Sequence, residues 1–191
     1  MTTQSRAKSL DAIGLLTDDH KKVQKMFKEY EKLSKQEDEQ GKDELARQIC
    51  AELAIHAQIE EEIFYPAARE VLDEQDILDE AEVEHATAKD LVDQIESMQA
   101  NEDMFDAKVT VLGEYINHHI KEEQEQMFPK IKKSSLDLEA LGEELAQRKQ
   151  ELMAEMGLDE ETSGSGVAAR SRGNKDSSKT GSRRSESVHR H

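Results

Sequence analysis

Four stretches of this 191-residue chain carry apolar residues at three- and four-residue spacing, and in each a histidine or glutamate stands inside the apolar stripe rather than opposite it. That period belongs to a helix with one face turned to a core. The first stretch, about residues 10–35, aligns Ile13, Leu16, His20, Val23, Phe27 and Tyr30. The second, about 43–72, aligns Ile49, Leu53, His56, Glu60, Ile63 and Ala67. The third, about 75–99, aligns Leu78, Ala81, His85, Ala88 and Val92, and the fourth, about 103–133, aligns Leu112, Tyr115, Ile116, His119 and Glu123.

The intervening connections are short, which favours antiparallel neighbours. The expected fold is therefore all-α: an antiparallel up-down-up-down four-helix bundle over residues 10–133. A fifth periodic stretch, about 136–156, carries Leu138, Leu141, Leu145, Leu152 and Met153. It reads as an accessory helix within residues 134–161, packed on the outside of the bundle or on a partner. From residue 162 to 191 Gly, Ser, Arg and Lys dominate and the period ends, the composition of a disordered basic tail.

Charge divides along the same lines. Residues 162–191 hold seven Lys and Arg against Asp176 and Glu186, a balance of +5, so a chain total of −17 leaves −22 on residues 1–161. A surface that acidic repels a phosphate backbone, and nucleic acid is not an expected partner. One cysteine, Cys50, excludes an intramolecular disulfide and suits a reducing, cytoplasmic setting. It is expected to be a small buried residue with no redox role. No stretch approaches the length of apolar sequence that a membrane span needs.

The polar residues in the stripes carry the chemistry. Burying a charged or polar group without a partner is costly, yet His20, His56, Glu60, His85, His119 and Glu123 all fall on core faces. A bound cation is a partner that could compensate all six. His56 and Glu60 are four residues apart, as are His119 and Glu123, so each pair shares one helix face. Mixed nitrogen and oxygen donors suit iron, manganese or zinc better than calcium or magnesium. The chain also repeats itself. Pro66 and Pro129, its two prolines, each stand ten residues after the histidine of a His-x3-Glu pair; His85 follows His20 by 65 residues and His119 follows His56 by 63. A proline within a helix costs several kcal/mol, so two at matched positions indicate a shared design.

His118 competes with His119 for the fourth-helix position. Its helical neighbours Glu114, Lys121, Glu122 and Glu125 describe a solvated face, which selects His119. Glu61, Glu62, Glu82 and Glu122 are expected in the acidic surface; Glu82, one turn before His85, is the strongest candidate for an additional carboxylate. Tyr65 and Tyr115 read as core residues that could also hydrogen-bond a bound oxygen species.

The set His20, His56-Ala-Gln-Ile-Glu60, His85, His119-Ile-Lys-Glu-Glu123, with the strings HAQIEEEIFYP and HHIKEEQEQMFP, resembles the hemerythrin-like HHE cation-binding domains. The resemblance implies a non-haem site for two iron ions that meets dioxygen, peroxide or nitric oxide. Two departures stand out. Oxygen-carrying hemerythrins place a second histidine one turn after the third-helix ligand, where this chain has Lys89. They also place an aspartate five residues after the fourth-helix histidine, where this chain has Gln124. Fewer protein ligands leave more open coordination positions, which favours peroxide or redox chemistry over reversible oxygen carriage. Catalase- or peroxidase-like turnover, a binding or sensing module for dioxygen or nitric oxide, and iron handling remain alternative outcomes of the same site.

Overall fold

The computed structural model describes residues 11–158, and the tail expected at 162–191 lies outside them. The chain is helical in successive pieces: α1 (Ala12–Lys35), α2 (Glu39–Ile59), a π segment (Glu60–Phe64), α3 (Tyr65–Val71), α4 (Asp76–Glu96), α5 (Phe105–Glu122), a second π segment (Glu123–Met127), α6 (Phe128–Ile131) and α7 (Leu138–Glu155). Aspartates open three of these helices by accepting an otherwise unpaired backbone N–H: Asp11 from Gly14 at 2.7 Å, Asp38 from Gly41 at 3.0 Å, and Asp137 from Ala140 at 3.1 Å. The Asp38 cap starts α2 four residues earlier than the apolar period alone indicates.

Helix α1 packs on α2 and α5, and α4 packs on α2 and α5, which closes the four-helix ring. Helix α7 lies across α1 and α2. The core consists of two apolar clusters. One holds Ile13, Leu16, Ile55, Ile59, Phe64, Leu78, Met127 and Phe128, together with Leu141, Leu145 and Leu152 of α7. The other holds Val23, Phe27, Ile49, Leu53, Val92, Phe105, Leu112, Ile116 and Ile120. The buried histidines lie along the chain between members of the two clusters: His20 between Leu16 and Val23, His56 between Leu53 and Ile59, and His119 between Ile116 and Met127.

The two prolines do not end their helices. In each case a wider turn precedes the proline: the N–H of Tyr65 reaches back five residues to the Glu60 carbonyl, and that of Phe128 reaches back five to Glu123. A proline ring in α register would collide with the carbonyl four residues before it; the extra residue in the turn relieves that contact. It also rotates everything that follows by one position. Ile63 and Ala67, expected on the core face, are therefore only half-buried, and Phe64 and Ala68 are fully buried in their place. Both π segments begin on the glutamates singled out by the sequence, consistent with the tendency of such bulges to mark functional sites.

Among the described residues, one buried charge lies away from the histidines. The ammonium of Lys42 is held by both oxygens of Asp106, which also accepts from Tyr30 and Ser34. This network ties α1, α2 and α5 together at their shared end. Among the described residues no helix is long and apolar enough to cross a membrane.

Candidate metal centre

All six residues singled out by the sequence are buried and converge. His20 comes from α1, His56 from α2, His85 from α4 and His119 from α5, while Glu60 and Glu123 occupy the first positions of the two π segments. The imidazoles meet in pairs through Nε2, His20 with His56 at 3.0 Å and His85 with His119 at 3.1 Å. The carboxylates lie between the pairs. Glu60 Oε2 is 3.3 Å from His56 Nε2 and 3.4 Å from His85 Nε2, and Glu123 Oε2 is 3.2 Å from His20 Nε2 and 3.7 Å from His119 Nε2. Two groups of potential ligand atoms result, each within 4.8 Å: His20, His56, Glu60 and Glu123, and Glu60, His85 and His119. Glu60 belongs to both.

Each histidine faces a second polar side chain at Nδ1, three of them within hydrogen-bond distance. Asp19 Oδ2 lies 3.5 Å from His56, Glu61 Oε1 lies 3.0 Å from His85, Glu84 Oε2 lies 2.8 Å from His119, and the Gln124 amide lies 3.1 Å from His20. Every supporting residue is a sequence neighbour of one ligand candidate and reaches the histidine of the adjacent helix. The ring therefore closes from α1 to α2, α4, α5 and back to α1. A carboxylate that accepts a hydrogen bond from Nδ1–H keeps the proton on Nδ1 and leaves Nε2 with its lone pair facing inward, the tautomer a metal needs. Gln124 can serve His20 in the same way by presenting its amide oxygen, since the two ends of an amide exchange by a half-turn.

These supports are what sequence reasoning missed, and they explain both departures noted above. Position 124 supplies a hydrogen-bonding amide to His20. Lys89 turns away from the histidines to bind both oxygens of Glu61, at 2.7 and 2.6 Å, which anchors the carboxylate behind His85. Glu82 is not part of the centre; it pairs with Arg69 at the surface at 2.8 Å. The carboxylate that matters on α4 is Glu84. His118 is 62% exposed, near Glu84 and Glu122 on the outer face. Tyr65 donates its hydroxyl proton to Glu123 Oε1 at 3.0 Å and sits 3.3 Å from His85 Nε2. Tyr115 is half-buried on the second cluster, and Cys50 is a buried free thiol pushed up to about 12 by burial.

Burial is the largest single influence on the electrostatics of the cluster. Both Glu60 oxygens and Glu123 Oε2 are fully buried and accept no hydrogen bond. Burial, then the charge of Glu123, pushes the Glu60 carboxyl well above the ordinary carboxylate range. At Glu123 burial works in the same direction but is outweighed by His119 and His20, and the group is held at about 2. Burial drives His56 down to about 4 against the pull of Asp19, whereas for His119 the desolvation is overcome by Glu123 and Glu84 and the shift is upward. Burial and the neighbouring glutamates keep the Tyr65 phenol protonated far above its usual range. Acceptor oxygens without hydrogen-bond donors, beside four imidazole Nε2 atoms, form a donor set that fits a cation.

The family described as "Hemerythrin HHE cation binding domain" matches residues 11–131. The chain belongs to that family. A DNA nickase of Nostoc sp. is 29% identical over 132 residues, 69% of this chain and 36% of that protein. An uncharacterised hemerythrin-like protein of Schizosaccharomyces pombe is 28% identical over 125 residues, 64% of this chain and 60% of that protein. The matched region thus spans about a third and three fifths of these relatives. The crystal structure of a hemerythrin HHE cation binding domain-containing protein from Mycobacterium kansasii shares the fold, with a TM-score of 0.66 at 20% identity, over 82% of this chain and 95% of that one.

Proposed function

We propose that this chain is a cytoplasmic non-haem di-iron protein that binds dioxygen or peroxide or reacts with them. The observation that carries the proposal is the set of buried, donor-less oxygens of Glu60 and Glu123 amid four inward-facing Nε2 atoms. His20, His56, Glu60 and Glu123 would hold one ion, and His85 and His119 the other, with Glu60 shared. Iron bound there supplies Lewis acidity and electron transfer to a small oxygen species.

The chain's own residues provide access, orientation and a proton. A cavity of about 580 Å³ opens onto the four histidines between walls built from Val23, Leu53, Ala57, Ala88, Val92 and Ile116, with the Glu61–Lys89 pair among its polar lining. Largely apolar walls suit a small uncharged ligand. Tyr65 holds a proton at the inner edge of the site, 3.0 Å from Glu123 Oε1. Because Lys89 braces Glu61 and Gln124 faces His20, neither position adds a donor to the centre, which favours reaction with peroxide over storage of dioxygen. The nicking of DNA belongs to a relative of which the matched part covers 36%; the −22 charge of residues 1–161 does not favour a phosphate backbone here.

Rapid mixing of iron-loaded protein with hydrogen peroxide tests this reading. The expected result is peroxide consumption faster than that of the same concentration of free iron, with poor retention of dioxygen. Reversible dioxygen uptake with no peroxide consumption would overturn the turnover reading and leave a binding module.

A further inference from the structure

Helix α7 lies beyond residues 11–131, yet it reaches the centre. Leu141, Leu145 and Leu152 bury its apolar face in the cluster that contains Leu16, Ile55 and Ile59. Two adjacent cations then point to different tasks. Arg148 makes an outer ion pair with Glu62 at 2.7 Å. Lys149 binds Asp19 Oδ1 in a site where the two side chains are only 17% and 14% exposed. The other oxygen of that carboxylate, Oδ2, faces His56 Nδ1 at 3.5 Å, too far apart for a hydrogen bond, and neither buried atom has a hydrogen-bond partner. The supports of the other histidines, Glu61 with Lys89, Glu84, and Gln124, all come from within the region that matches the family. Among the described residues, only His56 has the carboxylate behind it gripped from outside that region.

We propose that Lys149 is a positioning residue for the metal centre: by fixing one oxygen of Asp19 it aims the other at His56 Nδ1, so that retention of the ion on the His20–His56 side depends on α7. The proposal rests on the six-ligand reading above. Without Lys149 the Asp19 carboxylate is free to rotate into water, the His56 ring loses the acceptor that fixes its tautomer, and its Nε2 no longer presents a lone pair throughout. Carboxylates behind metal-bound histidines typically change affinity about 10- to 100-fold. One further step removed, Lys149 is expected to act at the lower end, about 10-fold.

The test is titration of the full chain with Co2+, followed by its visible absorption, in the unmodified protein and in Lys149→Met, Lys149→Gln, Lys149→Arg and Arg148→Met. A role confined to packing would lower the melting temperature and weaken both binding events alike. The expected result is that Lys149→Met and Lys149→Gln weaken one of the two events about 10-fold and leave the other unchanged. Lys149→Arg restores it, and Arg148→Met, which removes the outer pair, has no effect on either. In the metal-free protein, 15N signals of the His56 ring should show an Nδ1–H tautomer that the Met and Gln variants lose. Equal weakening of both events, no weakening, or an unchanged His56 tautomer would overturn the proposal. If the unmodified protein takes up fewer than two ions, the six-ligand reading fails first, and the His56 ring signals decide the Lys149 link separately.

Discussion

Replacing His119 with alanine is expected to remove most metal binding, while the same change at its neighbour His118 leaves binding essentially intact. The two residues are consecutive, about 100° apart around α5, which is enough to bury one and expose the other. His119 is buried, with Nε2 3.1 Å from His85 Nε2 and Nδ1 on Glu84 at 2.8 Å; His118 is 62% exposed. Loss of a supporting carboxylate alone costs about 10- to 100-fold in affinity, so loss of a direct ligand should exceed about 100-fold. Alanine at 119 also leaves Glu84 without its buried partner and Glu123 facing a void. Side-by-side metal titrations of the two variants check the ranking, and the reverse order would mean that α5 turns a different face to the centre.

The second large effect concerns the metal-free protein. Glu60→Gln should abolish shared ligation and at the same time stabilise the apoprotein. The Glu60 carboxyl is fully buried, accepts no hydrogen bond, and is held well above its ordinary range by burial and by the charge of Glu123. The folded state therefore binds this proton more tightly than the unfolded chain does. Between the unfolded value near 4.5 and the raised folded value, the unfolded state carries fewer protons, and stability falls as pH rises through that window. The upward shift of His119 acts with the same sign, whereas the depressed groups Glu123 and His56 exert their pH dependence lower, towards about 2 and about 4. Glutamine stays neutral, so the variant should lose Glu60's share of the slope and gain about 1–3 kcal/mol at pH 8, the usual cost of an unsatisfied buried group. Thermal melts of both apoproteins from pH 6 to 9 check it; parallel curves would show that Glu60 is satisfied in a way its surroundings do not indicate.

The six inward residues were legible because a helix period exposes any polar residue on a core face as an anomaly, and because the two His-x3-Glu-x5-Pro runs repeat. What the period could not carry is the change in its own phase. A straight 3.6-residue helix through Pro66 places Ile63 and Ala67 inside; the π turn that accommodates the proline brings in Phe64 and Ala68 instead. The supporting ring was equally hidden. Asp19, Glu61, Glu84 and Gln124 sit at the border of their helix faces, where a carboxylate or amide looks like ordinary acidic surface. Glu82 shares a helix with His85, whereas the side chains behind the histidines cross from helix to helix. Their adjacency to the ligand candidates was the available signal. The burial of Lys42 escaped for a similar reason, since its partners Asp106, Tyr30 and Ser34 come from two other helices.

In the proposed arrangement four histidines and two glutamates hold a pair of ions through a shared carboxylate. Anaerobic loading with excess Fe2+, removal of loosely held metal, and metal analysis against protein concentration test that arrangement. The ligand count over four helices predicts about two irons per chain; a firm ratio near one under iron-replete conditions would contradict it.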